Sequence, residues 1–132
     1  MRKILLDTNF LLIPQMFRVD IFEEIRRICD FNYELCVLKQ TIDELNKIIK
    51  EDKPKHQLAA RIGLGLIKAK DLKIVSQKEG YTDDVIVRLA KEDYIIATQD
   101  KELKNRLNLI NAEYITLRQM KYLIFMNKKK VI

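Results

Sequence analysis

Tryptophan is absent from the 132 residues, histidine occurs once, at His56, and there are only three glycines and two prolines. So little glycine and proline excludes collagen-like and low-complexity character. A single histidine excludes a His-rich metal centre and leaves a Ser-His-Asp triad without support. The two cysteines, Cys29 and Cys36, have no metal-type spacing. In a chain with enough apolar residues for a core they read as reduced thiols of a cytoplasmic protein. No apolar run approaches the ~20 residues that a bilayer span requires, so no membrane partner is expected. Met1-Arg2-Lys3 followed by apolar residues has the outline of a signal peptide. Asp7 interrupts that run and no small-residue cleavage site follows Ile13, so the segment reads as a buried strand that starts the fold.

What is present is a 48% apolar, 33% charged chain, which is the composition of a folded domain rather than a disordered one. Lysine and arginine number 25 against 19 acids, a net charge of +6. A basic excess of this size fits a polyanionic partner, most simply a nucleic acid, and fits plain solubility as well.

Short apolar runs alternate with helical periodicity. Strands are predicted at Arg2 to Leu6, Leu35 to Leu38, Leu72 to Val75, Tyr94 to Ala97 and Tyr114 to Leu117. Helices are predicted at Val19 to Cys29, Thr41 to Lys50, Lys55 to Lys70, Thr82 to Lys91 and Lys101 to Leu109, the third of them loosened by Gly63 and Gly65. This alternation predicts an α/β fold with a mostly parallel sheet covered on both faces. Tyr122 to Met126 reads either as a strand or as a packed helical turn. Lys128-Lys129-Lys130 reads as a solvated tail or as a nucleic-acid contact.

Asp7 follows the first strand directly and Asp100 follows the fourth. Both positions fall at the carboxyl edge of a parallel sheet, where open α/β sheets bind ligands. If strands one and four are neighbours, the chain reverses its winding between them and a crevice opens there. Each Asp is equally a good helix N-cap. At about 100° per residue, Ile42, Leu45, Ile48 and Ile49 define a core face with Glu44 near its edge and Asp43 further out. The same arithmetic puts Asp83 beside the apolar side of its helix. Asp84 falls opposite, where it can pair with Arg88 at the i,i+4 spacing.

A cluster of Asp7, Glu44, Asp83 and Asp100 would repel itself. Divalent cations relieve that repulsion, and an all-oxygen ligand set suits Mg²⁺ or Mn²⁺, as one ion or two. Such ions generate a hydroxide-like water near neutral pH and stabilise phosphoryl oxygens, so phosphodiester hydrolysis needs no His, Ser or Cys. Phosphate contacts for a nucleic-acid partner are expected at Lys101 and Lys104, on the helix after Asp100. Lys39, on a loop after the second strand, is expected to add another.

These residues resemble the PIN domains, a family of metal-dependent ribonucleases. Leu6-Asp7-Thr8-Asn9-Phe10 is similar to the family's opening hydrophobic-Asp-Thr/Ser-Asn motif. Glu44 in Thr41-Ile42-Asp43-Glu44-Leu45, then Tyr81-Thr82-Asp83-Asp84-Val85-Ile86, then Ile96-Ala97-Thr98-Gln99-Asp100-Lys101-Glu102-Leu103-Lys104, continue the likeness in order. The resemblance implies a three-layer α/β/α sandwich with strand order 3-2-1-4-5. It implies one domain over residues 1–132, with a core at about 1–117 and a short basic C-terminal extension over 118–132.

It further implies that Asp7, Glu44, Asp83 and Asp100 are the metal-binding and catalytic quartet, supported by Asn9, Thr98 and Asp84. The implied activity is Mg²⁺/Mn²⁺-dependent endoribonuclease cleavage that leaves a 3′-hydroxyl and a 5′-phosphate. Within the family the motifs look most like the ribosomal-RNA-processing nucleases of the small subunit, whose substrate is precursor rRNA. Toxins of the VapC type, which act beside an antitoxin, form the more distant branch. A non-cleaving RNA-binding or ribosome-assembly factor on the same scaffold is the further alternative. A homodimer, a ribosomal protein or an antitoxin is the protein partner these branches imply.

Overall fold

The first strand, β1 (Arg2–Leu6), is a five-residue apolar segment whose side chains alternate between two faces. Ile4 and Leu6 enter one core and Leu5 the other. A strand buried on both sides must sit in the middle of its sheet, and β1 does. The computed structural model describes residues 1–76 and 80–129 and has a six-stranded sheet in the order β3-β2-β1-β4-β5-β6. The strands are β2 (Tyr33–Leu38), β3 (Lys73–Val75), β4 (Ile95–Ala97), β5 (Tyr114–Arg118) and β6 (Tyr122–Met126). All neighbouring pairs are parallel except β5 with β6, which form an antiparallel hairpin. The predicted order 3-2-1-4-5 is thus present and extended by one strand. Tyr122–Met126, open between strand and helical turn in the sequence, is that strand.

Helices α1 (Thr8–Leu11), α2 (Ile13–Phe17), α3 (Ile21–Ile28), α4 (Lys39–Glu51) and α5 (Pro54–Ala69) cover one face. Their Phe10, Leu11, Ile13, Ile21, Ile25, Leu45, Ala60 and Ile67 pack on the Ile4 side of the sheet. Helices α6 (Thr82–Lys91) and α7 (Lys101–Leu109) cover the other through Val85, Ile86, Leu89, Leu103 and Leu107. Among the described residues no helix is long and apolar enough to cross a membrane.

Three local departures from the sequence reading have clear causes. α1 and α2 are too short to show periodicity, so nothing in the apolar spacing announces them. β2 runs into α4 without a loop, because Leu38 adopts an extended conformation and itself serves as the N-cap. α5 is continuous through both glycines. A Cβ at Gly63 would lie 2.7 Å from the carbonyl oxygen of Leu11, so the glycine permits α5 to lie directly on α1. At Gly65 a Cβ would meet nothing within 4 Å.

The described tail residues are exposed, as a solvated tail should be, and they also carry ion pairs. Lys128 pairs with Asp30 at 3.3 Å and Lys129 with Asp93 at 3.7 Å. Lys130 lies outside the described residues. His56 is half-buried in the first turn of α5, bonded to Asp52 at 2.8 Å.

Candidate active site

Leu6 of β1 sits in register with Ala97 of β4, and the Asp7 amide donates to the Ala97 carbonyl at 2.9 Å. The next residues on the two strands, Asp7 and Thr98, therefore emerge side by side. From β1 the chain winds outward through β2 and β3, and from β4 it winds the opposite way through β5. The gap between β1 and β4 is the switch point of the sheet, where both walls diverge and a ligand can enter.

Asp7 is buried, with 6% of its surface exposed. It is also the N-cap of α1: Oδ1 accepts from the Thr8 amide at 2.8 Å and Oδ2 from the Thr98 hydroxyl at 3.0 Å. Thr98, wholly buried, is shared further. Its Oγ1 accepts from the Asp100 amide at 3.1 Å and reaches Asn9 Oδ1 at 3.4 Å. Asn9 Oδ1 also accepts from the Gln99 amide at 2.9 Å. One small network thus fixes the first acid, the turn after β4 and the last acid together. Asp100 caps α7 through Oδ1, which accepts from the Leu103 amide at 2.9 Å. Both strand-end acids are therefore N-caps and crevice residues at once; the two readings do not exclude each other.

Glu44 leans in from α4, half-buried, while Asp43 is exposed. Its carboxylate accepts from two threonine hydroxyls, Thr8 of α1 and Thr82 of α6, the latter at 3.0 Å. Asp83 is half-buried and Asp84 exposed on α6. Among the described residues Asp83 has no protein donor, and neither has Oδ2 of Asp100. Asp84 forms an ion pair at 2.9 Å with Arg106 of α7. The expected in-helix partner was Arg88; the helices α6 and α7 pack closely enough for the cross-helix pair to form instead.

Electrostatics bind the four acids into one group. Burial pushes the Asp7 carboxyl up to about 6, with Glu44 and Asp83 adding to the push and the Thr8 and Thr98 bonds opposing it. Burial also raises Asp83, followed by the charge of Asp100; Arg106 opposes and Glu44 adds. Each acid thus lies in the field of another. They are not gathered to a point: among the described residues no three Asp, Glu, His or Cys side chains form a finished metal cage.

The donor chemistry nonetheless fits a hydrated Mg²⁺ or Mn²⁺. Such an ion keeps several waters and takes one or two carboxylates directly. Uncompensated carboxylate charge, an unpartnered Asp83 and a free oxygen on Asp100 are what it would meet.

Around the acids stand the basic residues. Lys101 is exposed on the first turn of α7 and Lys104 is half-buried one turn later. Lys39 is exposed at the same edge, but it opens α4 and does not sit on a loop. Thr8, Thr82 and Gln99 escape the sequence reading as site residues. The visible signal is a threonine next to each of Asp7 and Asp83; its carboxylate partner, Glu44, is 36 and 38 positions away.

The description "PIN like domain" belongs to a family model that matches residues 4–120. Ribonuclease VapC4 of Methanocaldococcus jannaschii is 35% identical over 124 residues, covering 92% of this chain and 95% of that protein. The PIN domain endonuclease Utp24 superposes with a TM-score of 0.75 at 23% identity, covering 98% of this chain and 95% of that one. A domain of a functionally unknown protein from Methanocaldococcus jannaschii superposes with a TM-score of 0.57 at 18% identity, covering 100% and 96%. At those identities the two superpositions speak for the fold.

Proposed function

This chain belongs to the PIN like domain family, and from that premise we propose that it is a Mg²⁺- or Mn²⁺-dependent endoribonuclease acting on single-stranded RNA. The observation that carries the reading is the set of mutually repelling, incompletely partnered carboxylates at the switch point of the sheet. The 35% identity to a ribonuclease supports it.

In this reading Asp7 and Asp100 hold the principal ion across the crevice. Glu44 and Asp83 complete its surroundings or hold a second. When bound, the ion supplies an acidified water and positive charge for the attacking and leaving oxygens. The protein supplies the rest. Thr98 and the Thr8 amide fix the rotamer of Asp7. Thr8 and Thr82 fix Glu44. Asn9 holds the turn that carries Asp100. Lys39, Lys101 and Lys104 draw the RNA backbone to this edge. Hydrolysis leaves a 3′-hydroxyl and a 5′-phosphate.

Ribosomal RNA processing is the role we infer from the Tyr81-Thr82-Asp83-Asp84 and Thr98-Gln99-Asp100 segments. The identity to VapC4 favours a second role, a toxin held by an antitoxin. The unpaired thiols Cys29 and Cys36 support a reducing, cytoplasmic setting.

The test is cleavage of a labelled single-stranded RNA in Mn²⁺ by wild type and Asp7→Asn. Equal cleavage by the two would place any activity elsewhere. No cleavage by either, with binding retained, would favour a non-cleaving RNA-binding factor. Crosslinking and mapping of RNA bound in native cells, together with growth arrest on induction, separates the two roles.

A further inference from the structure

The carboxyl edge carries a second arrangement, made of cations, on the β5 side of the acids. Gln99 builds it. Its Oε1 accepts from the Thr116 hydroxyl at 2.7 Å and from the Leu117 amide at 2.6 Å, while its own amide donates to Asn9. The end of β5 is thereby tied to the turn that holds Thr98 and Asp100. Arg118 follows at once. It is the last residue of β5, paired with Tyr122 across a three-residue turn, Gln119 to Lys121. Two of the three turn residues, Gln119 and Met120, hold left-handed backbones with φ of 53° and 56°. A tight hairpin of this kind fixes the Arg118 backbone rather than leaving it on a loop.

Strand alternation puts Arg118 on the same face of β5 as Tyr114, the face that Leu103 and Leu107 of α7 cover, and α7 also carries Lys104. Burial lowers the Lys104 ammonium and the neighbouring charge of Arg118 lowers it further, with Asp100 opposing. Among the described residues neither side chain makes a hydrogen bond or an ion pair. Nearby on the same helix Arg106 is answered by Asp84 of α6 at 2.9 Å. Two cations held near each other without an ion pair repel, and an anion between them removes the repulsion.

We propose that Lys104 and Arg118, positioned by Gln99, form a subsite for a phosphodiester of single-stranded RNA next to the one being cleaved. The inference deepens the ribonuclease reading and rests on it. It gives the substrate a path, from the acid crevice between β1 and β4 over the start of α7 towards the β5–β6 hairpin. Arg118 lies outside every motif that suggests the site, so only the Gln99 link brings it in.

The experiment is done in the Asp7→Asn background, which silences cleavage, with a fluorescein-labelled oligouridine followed by anisotropy across KCl concentrations. Arg118→Ala and Lys104→Ala are each expected to weaken binding about fivefold. Each should also flatten the salt dependence by about 0.7 in log Kd against log salt, the figure for one lost contact on a single strand. Arg118→Lys should retain most of the binding, which separates charge from packing. Gln99→Met should weaken binding like Arg118→Ala, and should add nothing when Arg118 is already alanine. Parent-like affinity and slope in both alanine variants would overturn the subsite while leaving the nuclease reading intact. A parent that binds no RNA would overturn both.

Discussion

The two ends of this sheet handle charge in opposite ways. At the amino end, Glu113 is buried, with 4% exposed, and it is answered. Arg2 grips its carboxylate and the Lys129 amide donates to it at 3.2 Å. Around it Lys129 meets Asp93, Lys128 meets Asp30 and Lys73 meets Glu34. At the carboxyl end, Asp7 is similarly little exposed, yet it faces Glu44 and Asp83 and is answered only by an amide and a hydroxyl. Burial alone would raise both carboxyls. At Glu113 the bonds from Arg2 and Lys129 outweigh it and hold the group below its ordinary range. At Asp7 nothing outweighs it. Similarly low exposure, with deeper burial and no cation at Asp7, distinguishes a carboxylate kept for a ligand from one that serves the fold.

That contrast breaks most visibly in activity. Asp7→Asn is expected to reduce Mn²⁺-dependent RNA cleavage by about 100-fold or more, since it removes a direct ion-holding oxygen. Its melting temperature in metal-free buffer should not fall. Glu113→Gln should do the reverse: cleavage retained, and stability lowered by roughly 2 kcal/mol, discounted from a fully buried pair because Arg2 is partly solvated. Thermal melts and initial rates on the same two variants check both halves. Loss of activity in Glu113→Gln at full folding would erase the distinction.

The two ends should also respond oppositely to pH. Asp7 has a folded value of about 6, above its ordinary 3.8. Its contribution is therefore intact below about pH 4 and is lost as pH rises through 6. Glu113, held below its ordinary value, contributes above that value and loses the contribution as pH falls. The stability difference between Asp7→Asn and wild type, in metal-free buffer, should accordingly grow between pH 4 and pH 6.5. The cost of Glu113→Gln should shrink as pH drops below 4.5. Differential scanning fluorimetry across that range reads both.

Linkage gives a smaller effect. Millimolar Mn²⁺ should raise the wild-type melting temperature by about 3 °C, and Asp100→Asn should abolish the rise while melting slightly higher without metal. A wild type indifferent to Mn²⁺ would remove the physical basis of the acid group. Smaller again, Thr82→Val, which deprives Glu44 of one donor, should cost about tenfold in cleavage with little change in stability. The equivalent change at an exposed threonine-free surface of α5, Gly65→Ala, should leave cleavage untouched and add about 0.5–1 kcal/mol of stability.

Much of this contrast is legible in the sequence at the carboxyl end and little of it at the amino end. Asp7 and Asp100 stand out because each ends a short run of buried residues, and the turn after a central parallel strand has few places to go. Helical phase separates Glu44 from Asp43 and Asp83 from Asp84, because one-residue steps on a helix change the face by 100°. The partners are another matter. Thr8 with Glu44, Gln99 with Leu117, and Arg2 with Glu113 join residues 36, 18 and 111 positions apart, and no local pattern encodes such pairings. Lys39 reads as a loop residue because the apolar spacing starts only at Ile42, whereas α4 begins at Lys39 with the extended Leu38 as its N-cap. β6 stays ambiguous in the sequence because five apolar residues satisfy a strand and a helical turn equally.

Position 63 sets a clearance. With hydrogen in place of a methyl group, the long helix α5 rests against the backbone of α1, and α1 begins at the residue that Asp7 caps. An alanine there would need that backbone to retreat by several tenths of an ångström, and the displacement would be delivered along four residues to the crevice wall. A substitution on the far side of a helix, touching no charge and no nucleotide, would thereby detune the instrument it never contacts.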